Sequence, residues 1–431
     1  MRRLCLLCAL LLCTALGGCT TTTHAARSGP SVSIQAASPA PADTADGPTV
    51  ILVSLDGYRA DYLDRGLNPI LERIAADGVR ARWLTPSFPT VTEPNHYTFL
   101  TGRYPDHNGI VDNDMADRDV QPEHFRMGVA PTTENRAWWD EATPLWVSMQ
   151  LRGIRTAELS WPSGYVAIDN THPALLCNGA KVGTPEQETA ELIHWLDLPP
   201  VRRPRFLMVH YELIDAMGHR YGPDSRQLDD ALRTIDQAMG QLVDALQRNG
   251  QYTSTDLVIV SDHGMAELSP ARRIYLDDII DMHAVSTISL GGGAGIDPRH
   301  SAAGRAAEAA LLQPYPHLQC WRKHDLPERL HYGSNPRVPA VVCLATPGWL
   351  VTTHAEVARR TFELKGTHGY DNLAPAMRAI FIAHGPSFRR EYVSPAFPNV
   401  DVYPLLAHIF GIKPETNDGK LSDVMSLLKQ G

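Results

Sequence analysis

The 431-residue chain predicts an α/β protein, a doubly wound and mostly parallel sheet with helices on both faces and a smaller inserted cap. Three observations carry that expectation. The runs Val50–Leu55, Phe206–Tyr211 and Leu257–Ser261 are short, apolar and bounded by turn residues, as fully buried parallel strands are. Helical patterns alternate with them, most clearly from Asp224 to Arg248, where Leu228, Leu232, Ile235, Met239, Leu242 and Leu246 recur at spacings of four and three before Asn249-Gly250 ends the pattern. That stripe is core packing. Finally, 43% apolar and 20% charged residues over this length suffice for a large core.

The first 19 residues are not expected to be part of the fold. Met1-Arg2-Arg3 is a positive n-region, Leu4 to Ala15 an apolar stretch too short to span a bilayer comfortably, and Leu16-Gly17-Gly18-Cys19 resembles a bacterial lipobox cut before Cys19. The expected domains are therefore a lipoprotein signal peptide (1–19), a flexible Thr/Ser/Ala/Pro tether (20–47) and a catalytic domain (48–431) in which residues 266–345 form the insertion or cap. Such a chain sits in the bacterial cell envelope, lipid-anchored or periplasmic, touching the membrane only through Cys19. Of seven cysteines, Cys177, Cys320 and Cys343 lie beyond the lipobox; they allow one disulfide and leave an odd thiol, with Cys320–Cys343 the favoured pair. The formal net charge of -9, without any Lys/Arg cluster, excludes a polymeric nucleic acid as a natural partner.

The chemistry resides in six carboxylate and imidazole residues. Asp56 ends the first apolar run and Asp262-His263 the third, both at Gly-containing turns, where ligands of open α/β sheets collect. Asp215 and His219 are four apart and share one helical face, and His368 lies in the turn Gly366-Thr367-His368-Gly369-Tyr370. Each is bland alone, since an Asp at a strand end is usually a cap and a lone His usually a satisfied polar residue. Together they are the right donors for two Zn²⁺ ions, a pair that clamps the attacking and leaving oxygens of a displacement at phosphorus. Gly291–Gly295 lacks the Gly-x-Gly-x-x-Gly register and reads as a turn.

Between the first acid and the rest lie Ser87-Phe88-Pro89-Thr90-Val91-Thr92-Glu93-Pro94-Asn95-His96-Tyr97-Thr98 and Thr101-Gly102-Arg103-Tyr104-Pro105-Asp106-His107-Asn108-Gly109-Ile110-Val111-Asp112-Asn113. With Asp56-Gly57, Tyr211-Glu212-x-x-Asp215-x-x-Gly218-His219, Ser261-Asp262-His263-Gly264-Met265 and Gly366-Thr367-His368-Gly369, these segments closely resemble the nucleotide pyrophosphatase/phosphodiesterase family of the alkaline phosphatase superfamily, over roughly residues 49 to 412. The resemblance implies an alkaline-phosphatase-like sheet and roles carried over by motif. Thr92 is then the nucleophile, Asp215, His219 and His368 hold one zinc, and Asp56, Thr92, Asp262 and His263 hold the other. Asn113 donates to a non-bridging phosphoryl oxygen, and the substrate is a small phosphodiester.

Two positions depart from the family's pattern. Glu93 stands where nucleotide-preferring members carry an aromatic residue that stacks on the base, which predicts weak base discrimination and makes Glu93 a candidate substrate-binding residue. Leu213-Ile214 precedes Asp215 where many members have Pro, which alters the turn but not the ligands. Three rival readings follow. A choline- or glycerol-type lipid-headgroup phosphodiesterase would use the Glu93 carboxylate against a cation. A sulfatase is disfavoured because no Cys/Ser-x-Pro-x-Arg stretch surrounds the nucleophile, and a non-catalytic envelope lipoprotein is disfavoured because all seven metal-site positions are present. Tyr315, Trp321 and Tyr332 of the insertion are placed to meet a substrate.

Overall fold

The computed structural model describes residues 47–162, 166–177 and 183–429; the expected signal peptide, Cys19 and nearly all of the expected tether lie outside them. No helix among the described residues is long and apolar enough to cross a membrane. The strands that position the site are β1 (Thr49–Leu55), β2 (Val79–Ala81), β3 (Thr156–Leu159), β4 (Leu175–Cys177), β5 (Phe206–Tyr211) and β6 (Thr255–Val260). After them come β7 (Val285–Leu290), β8 (Gly293–Pro298), β9 (Leu318–Arg322), β10 (Val341–Ala345), β11 (Phe381–His384) and β12 (Tyr392–Ser394).

The main sheet runs β12-β2-β11-β6-β1-β5-β3-β4. Strands β6, β1, β5, β3 and β4 are parallel, and only β11 runs against its neighbours. Because successive side chains point to opposite faces, β1 divides its residues between two cores. Val50 and Leu52 pack with Phe206, Met208 and Val258 on one side; Ile51, Val53 and Leu55 pack with Leu207, Val209 and Ile259 on the other. Helices cover both sides. Helix α1 (Thr92–Thr101) lies on the first, and α2 (Leu213–Tyr221) and α3 (Arg226–Arg248) on the second.

Helix α3 buries the whole predicted stripe from Leu228 to Leu246, and truncating a member such as Leu232 to Ala is expected to cost about 2–5 kcal/mol. It starts two residues later than the periodicity suggests. The Ser225 hydroxyl accepts the Leu228 N–H at 3.1 Å, so the cap, not the apolar stripe, sets the first turn.

The stretch after β6 contains a separate antiparallel sheet, ordered β7-β8-β10-β9. Cys320 and Cys343 face each other across β9 and β10 and form a disulfide, and Cys177 is buried in the main core. The pairing extends past residue 345, because Arg273–Tyr275 aligns with Leu350–Thr352 and Ala266–Glu267 with Gly366–Thr367. The last of these pairs leads directly to His368. The glycine run is a turn only at its start, since Gly293 to Gly295 belong to β8. A Cβ on Gly292 would lie 2.4 Å from the His368 carbonyl oxygen, so the absence of a side chain lets this hairpin pack on the backbone of the loop that carries His368.

Candidate active site

Strand register builds the first half of the site. Ser54 pairs with Val260 and Leu55 with Tyr211, so continuing past the strand ends brings Asp56 beside Asp262 and close to the start of α2. The Asp56 N–H donates to the Tyr211 carbonyl at 3.0 Å, and Asp262 Oδ1 accepts the N–H groups of Gly57 and His263 at 3.1 and 3.0 Å. Gly57 has φ +66°, and a Cβ there would press on Asp215 at 3.0 Å, so the turn after the first acid requires glycine. Asp215 and His219 share one face of α2, with His219 Nε2 3.4 Å from Asp215 Oδ2. Leu213 opens that helix two residues before Asp215, and the departure from Pro leaves both side chains on the same face.

The sequence-predicted metal residues converge into one cluster, buried except for the partly exposed His219. His263 Nε2 lies 3.0 Å from Asp262 Oδ2 and 3.5 Å from Asp56 Oδ1; His368 Nε2 lies 3.7 Å from Asp215 Oδ1 and 3.1 Å from His219 Nε2. Thr92 opens α1 and places its Oγ1 3.4 Å from His263 Nε2. Two triads are tight enough to hold an ion, Asp56/Asp262/His263 and Asp215/His263/His368. His263 falls in both, while His219 is just outside the second. Since His219 contacts both Asp215 and His368, we assign it to that side and read His263 as lying between the two halves.

The donor chemistry fits metal ions. The Nδ1 atoms of His219, His263 and His368 each lie 2.9 Å from a backbone carbonyl, of Gly366, Gly264 and Thr90. A carbonyl can only accept, so each Nδ1 carries a proton and each Nε2 is the ring nitrogen that faces the cluster, the orientation of a metal-ligating imidazole. Two such nitrogens face each other between His219 and His368. The buried oxygens Asp56 Oδ1, Asp215 Oδ1 and Asp262 Oδ2 have no hydrogen-bond partner. Unpaired buried acceptors of this kind are costly unless cations compensate them.

Charge balance points the same way. Burial, then the neighbouring Asp262 and Asp215, pushes the Asp56 carboxyl well above the usual carboxylate range. Burial depresses His368, which keeps its ring neutral and its Nε2 free to bind a cation.

Two supporting histidines went unassigned in the sequence. His210 Nε2 lies 2.9 Å from Asp56 Oδ2, and burial followed by the nearby His96 pulls its pKa down to about 3, so the ring is neutral. The ring bridges the Asp56 carboxyl and the Ser160 carbonyl, 3.2 Å from Nδ1, and so ties the acid at the end of β1 to the end of β3. His96 donates from Nδ1 to the Thr92 carbonyl at 2.9 Å and accepts the Ser54 hydroxyl at 2.8 Å, fastening the first turn of α1 to β1. A polar imidazole within an apolar strand run was the available signal for His210.

Asn113 lines a cleft of about 560 Å³ together with Asp215, His219, His368, Gly291–Gly295 and Tyr332; Tyr315 and Trp321 are not part of its wall. Asn113 Oδ1 accepts the Glu93 N–H at 2.8 Å. A backbone N–H can only donate, so the amide nitrogen of Asn113 is the end left for a ligand. Glu93 differs from expectation. It is 3% exposed, its side chain does not line the cleft, and burial raises its carboxyl to about 8. The cause is helix geometry: as the second residue of α1 it points about 100° away from Thr92, whose Oγ1 faces His263.

The parallel sheet, the acids and imidazoles at its strand ends and a threonine at a helix N-terminus define a class, the hydrolases of phosphoric esters and anhydrides. A sequence profile of the type I phosphodiesterase / nucleotide pyrophosphatase family matches residues 50–371. The chain belongs to that family, and it is an enzyme of the nucleotide pyrophosphatase/phosphodiesterase kind. It is 35% identical over 391 residues to a pyrophosphatase/phosphodiesterase of Schizosaccharomyces pombe, covering 88% of this chain and 80% of the relative. It is also 35% identical over 382 residues to a bis(5'-adenosyl)-triphosphatase of Xenopus laevis, covering 88% and 82%. The fold superposes on murine ectonucleotide pyrophosphatase/phosphodiesterase 5, an inactive threonine-to-alanine variant in complex with AMP, with TM-score 0.83, 32% identity, and 89% of this chain and 100% of the other covered.

Proposed function

We propose that the chain is a two-zinc hydrolase of small organic phosphodiesters and pyrophosphates, nucleotides foremost, acting through a covalent phosphothreonine on Thr92. The observation that carries this reading is the convergence of three Nε2 atoms and three unpartnered aspartate oxygens into one cluster, with the Thr92 hydroxyl 3.4 Å from His263 Nε2. Asp215, His219 and His368 would hold one zinc and Asp56, Thr92, Asp262 and His263 the other. Zinc there would lower the pKa of a coordinated hydroxyl and offset charge on the phosphoryl group.

The protein's own groups divide the remaining work. Thr92 Oγ forms the new bond to phosphorus as the bond to the leaving oxygen breaks, and water then opens the phosphothreonyl ester and restores the hydroxyl. His96 holds the Thr92 backbone, and His210 orients Asp56. Asn113 offers its amide nitrogen to a non-bridging oxygen, where charge builds in the transition state. The murine relative that is inactive with a threonine replaced, and that binds AMP, supports both the nucleophile and the nucleotide class. The Xenopus relative's diadenosine substrate supports a diester or pyrophosphate linkage. The lipid-headgroup alternative rested on Glu93 meeting a cation, and its burial removes that support. We place the enzyme in the bacterial envelope, anchored through Cys19.

Acid-quenched mass spectrometry during turnover of a dinucleotide tests the reading. The expected result is a phosphoryl adduct on Thr92, with diesters hydrolysed faster than monoesters. A monoester preference, or an adduct on another residue, would overturn it.

A further inference from the structure

Asn113 is held from both sides. Its side-chain oxygen accepts the Glu93 N–H at 2.8 Å, and its own N–H donates to Asp112 Oδ1 at 2.7 Å. The second oxygen, Asp112 Oδ2, accepts the Ser289 hydroxyl at 2.8 Å from the far side of the cleft, 177 positions away in sequence. Ser289 belongs to β7 of the inserted sheet, and its Oγ accepts the Gly295 N–H of β8 at 3.2 Å. A continuous run of hydrogen bonds thus leads from the first turn of the Thr92 helix, through Asn113 and Asp112, into the inserted hairpin.

From this arrangement we infer that Asp112 is a positioning residue for phosphoryl transfer, aiming the Asn113 amide and making the inserted sheet a working part of the site through Ser289. The inference rests on the reading of Asn113 as the phosphoryl donor. Nothing else in the site requires an acid at position 112, since Asp112 is absent from both metal-binding triads. Its two oxygens take two donors that come from different layers of the molecule. An amide in its place would keep an acceptor for the Asn113 N–H but turn its NH₂ toward the Ser289 oxygen, which already accepts the Gly295 N–H, so the bond to the hairpin would reverse and compete with that contact. The charged groups around it are few. Asp114 lies on the same segment with Arg126 3.8 Å from it, and Tyr332 faces from the insertion while its hydroxyl donates to the Val111 carbonyl at 2.9 Å.

A double-mutant cycle separates positioning from simple structural support. Asp112→Asn is expected to lower kcat by about 10-fold with little change in KM for a dinucleotide, the lower end of the loss seen when a partner that orients a functional group is removed. Ser289→Ala should lower kcat by a smaller factor, and Ser289→Thr should restore it by returning the hydroxyl. In an Asn113→Ala background both losses should vanish, since nothing remains to be aimed. Equal losses in both backgrounds, or wild-type kcat in Asp112→Asn and Ser289→Ala, would overturn the inference while leaving Asn113 in its role. Wild-type turnover in Asn113→Ala itself would instead overturn the underlying reading and the inference with it.

Discussion

The central parallel strands and the inserted antiparallel sheet meet at the same cleft but contribute to it differently. Strands β1, β5 and β6 are buried along their lengths and deliver reactive groups just past their ends, Asp56 after β1, Asp262 and His263 after β6, and Asp215 on the helix that follows β5. The inserted sheet is partly exposed, as the mostly intermediate burial along β7 shows, and with its connections it supplies walls and supports: the glycine hairpin against His368, the Ser289 hydroxyl, and Tyr332 from the segment between β9 and β10. Chemistry is set by the element with one rigid register. The shape of the cleft is set by the element that docks onto it.

The largest effect that could break this division is at Thr92. Thr92→Ala should lower turnover by at least about 1,000-fold with the fold intact, and Thr92→Ser should retain part of the activity; circular dichroism alongside steady-state rates is the check, and near-normal Thr92→Ala rates would remove the nucleophile from the account. Next is Asn113→Ala, expected to slow turnover by roughly 10 to 1,000-fold with metal content unchanged, measured by kinetics and elemental analysis on one sample. His210→Ala should follow, costing about 10 to 100-fold in metal affinity or activity because Asp56 loses the group that orients it. If His210→Ala is silent, the strand-borne half of the site depends on its ligands alone.

Smaller effects sharpen the contrast. Burial chiefly, and Asp114 secondarily, raises the Asp112 carboxyl from 3.8 to about 7. Between those values the folded chain binds more protons than the unfolded one, so this group makes stability fall as pH rises from about 4 to 7 and adds no further slope above. The melting temperature of Asp112→Asn relative to wild type should therefore climb across that window, and a flat difference would show that Asp112 is not held in a desolvated place. Smallest of all, Glu93→Gln should leave the ratio of kcat/KM values for purine and pyrimidine substrates unchanged, since the side chain does not reach the cleft.

What could be read in advance follows from the same contrast. The strand-end acids, the i and i+4 pair of α2 and the α3 stripe are local patterns, and local patterns carry into the fold with only a shift at the Ser225 cap. The bond between Asp112 and Ser289 is not local, and no spacing announces it. Glu93 was misplaced because its chemistry was read without its direction. One step along a helix from Thr92 turns a side chain by about 100°, enough to move a carboxylate from the cleft wall into the interior.

The claim on which the rest depends is that these seven side chains hold two metal ions. Elemental analysis of the purified wild-type chain should find about two zinc per chain and loss of activity on chelation, with His368→Ala reduced to about one. One ion or none in the wild type would contradict it.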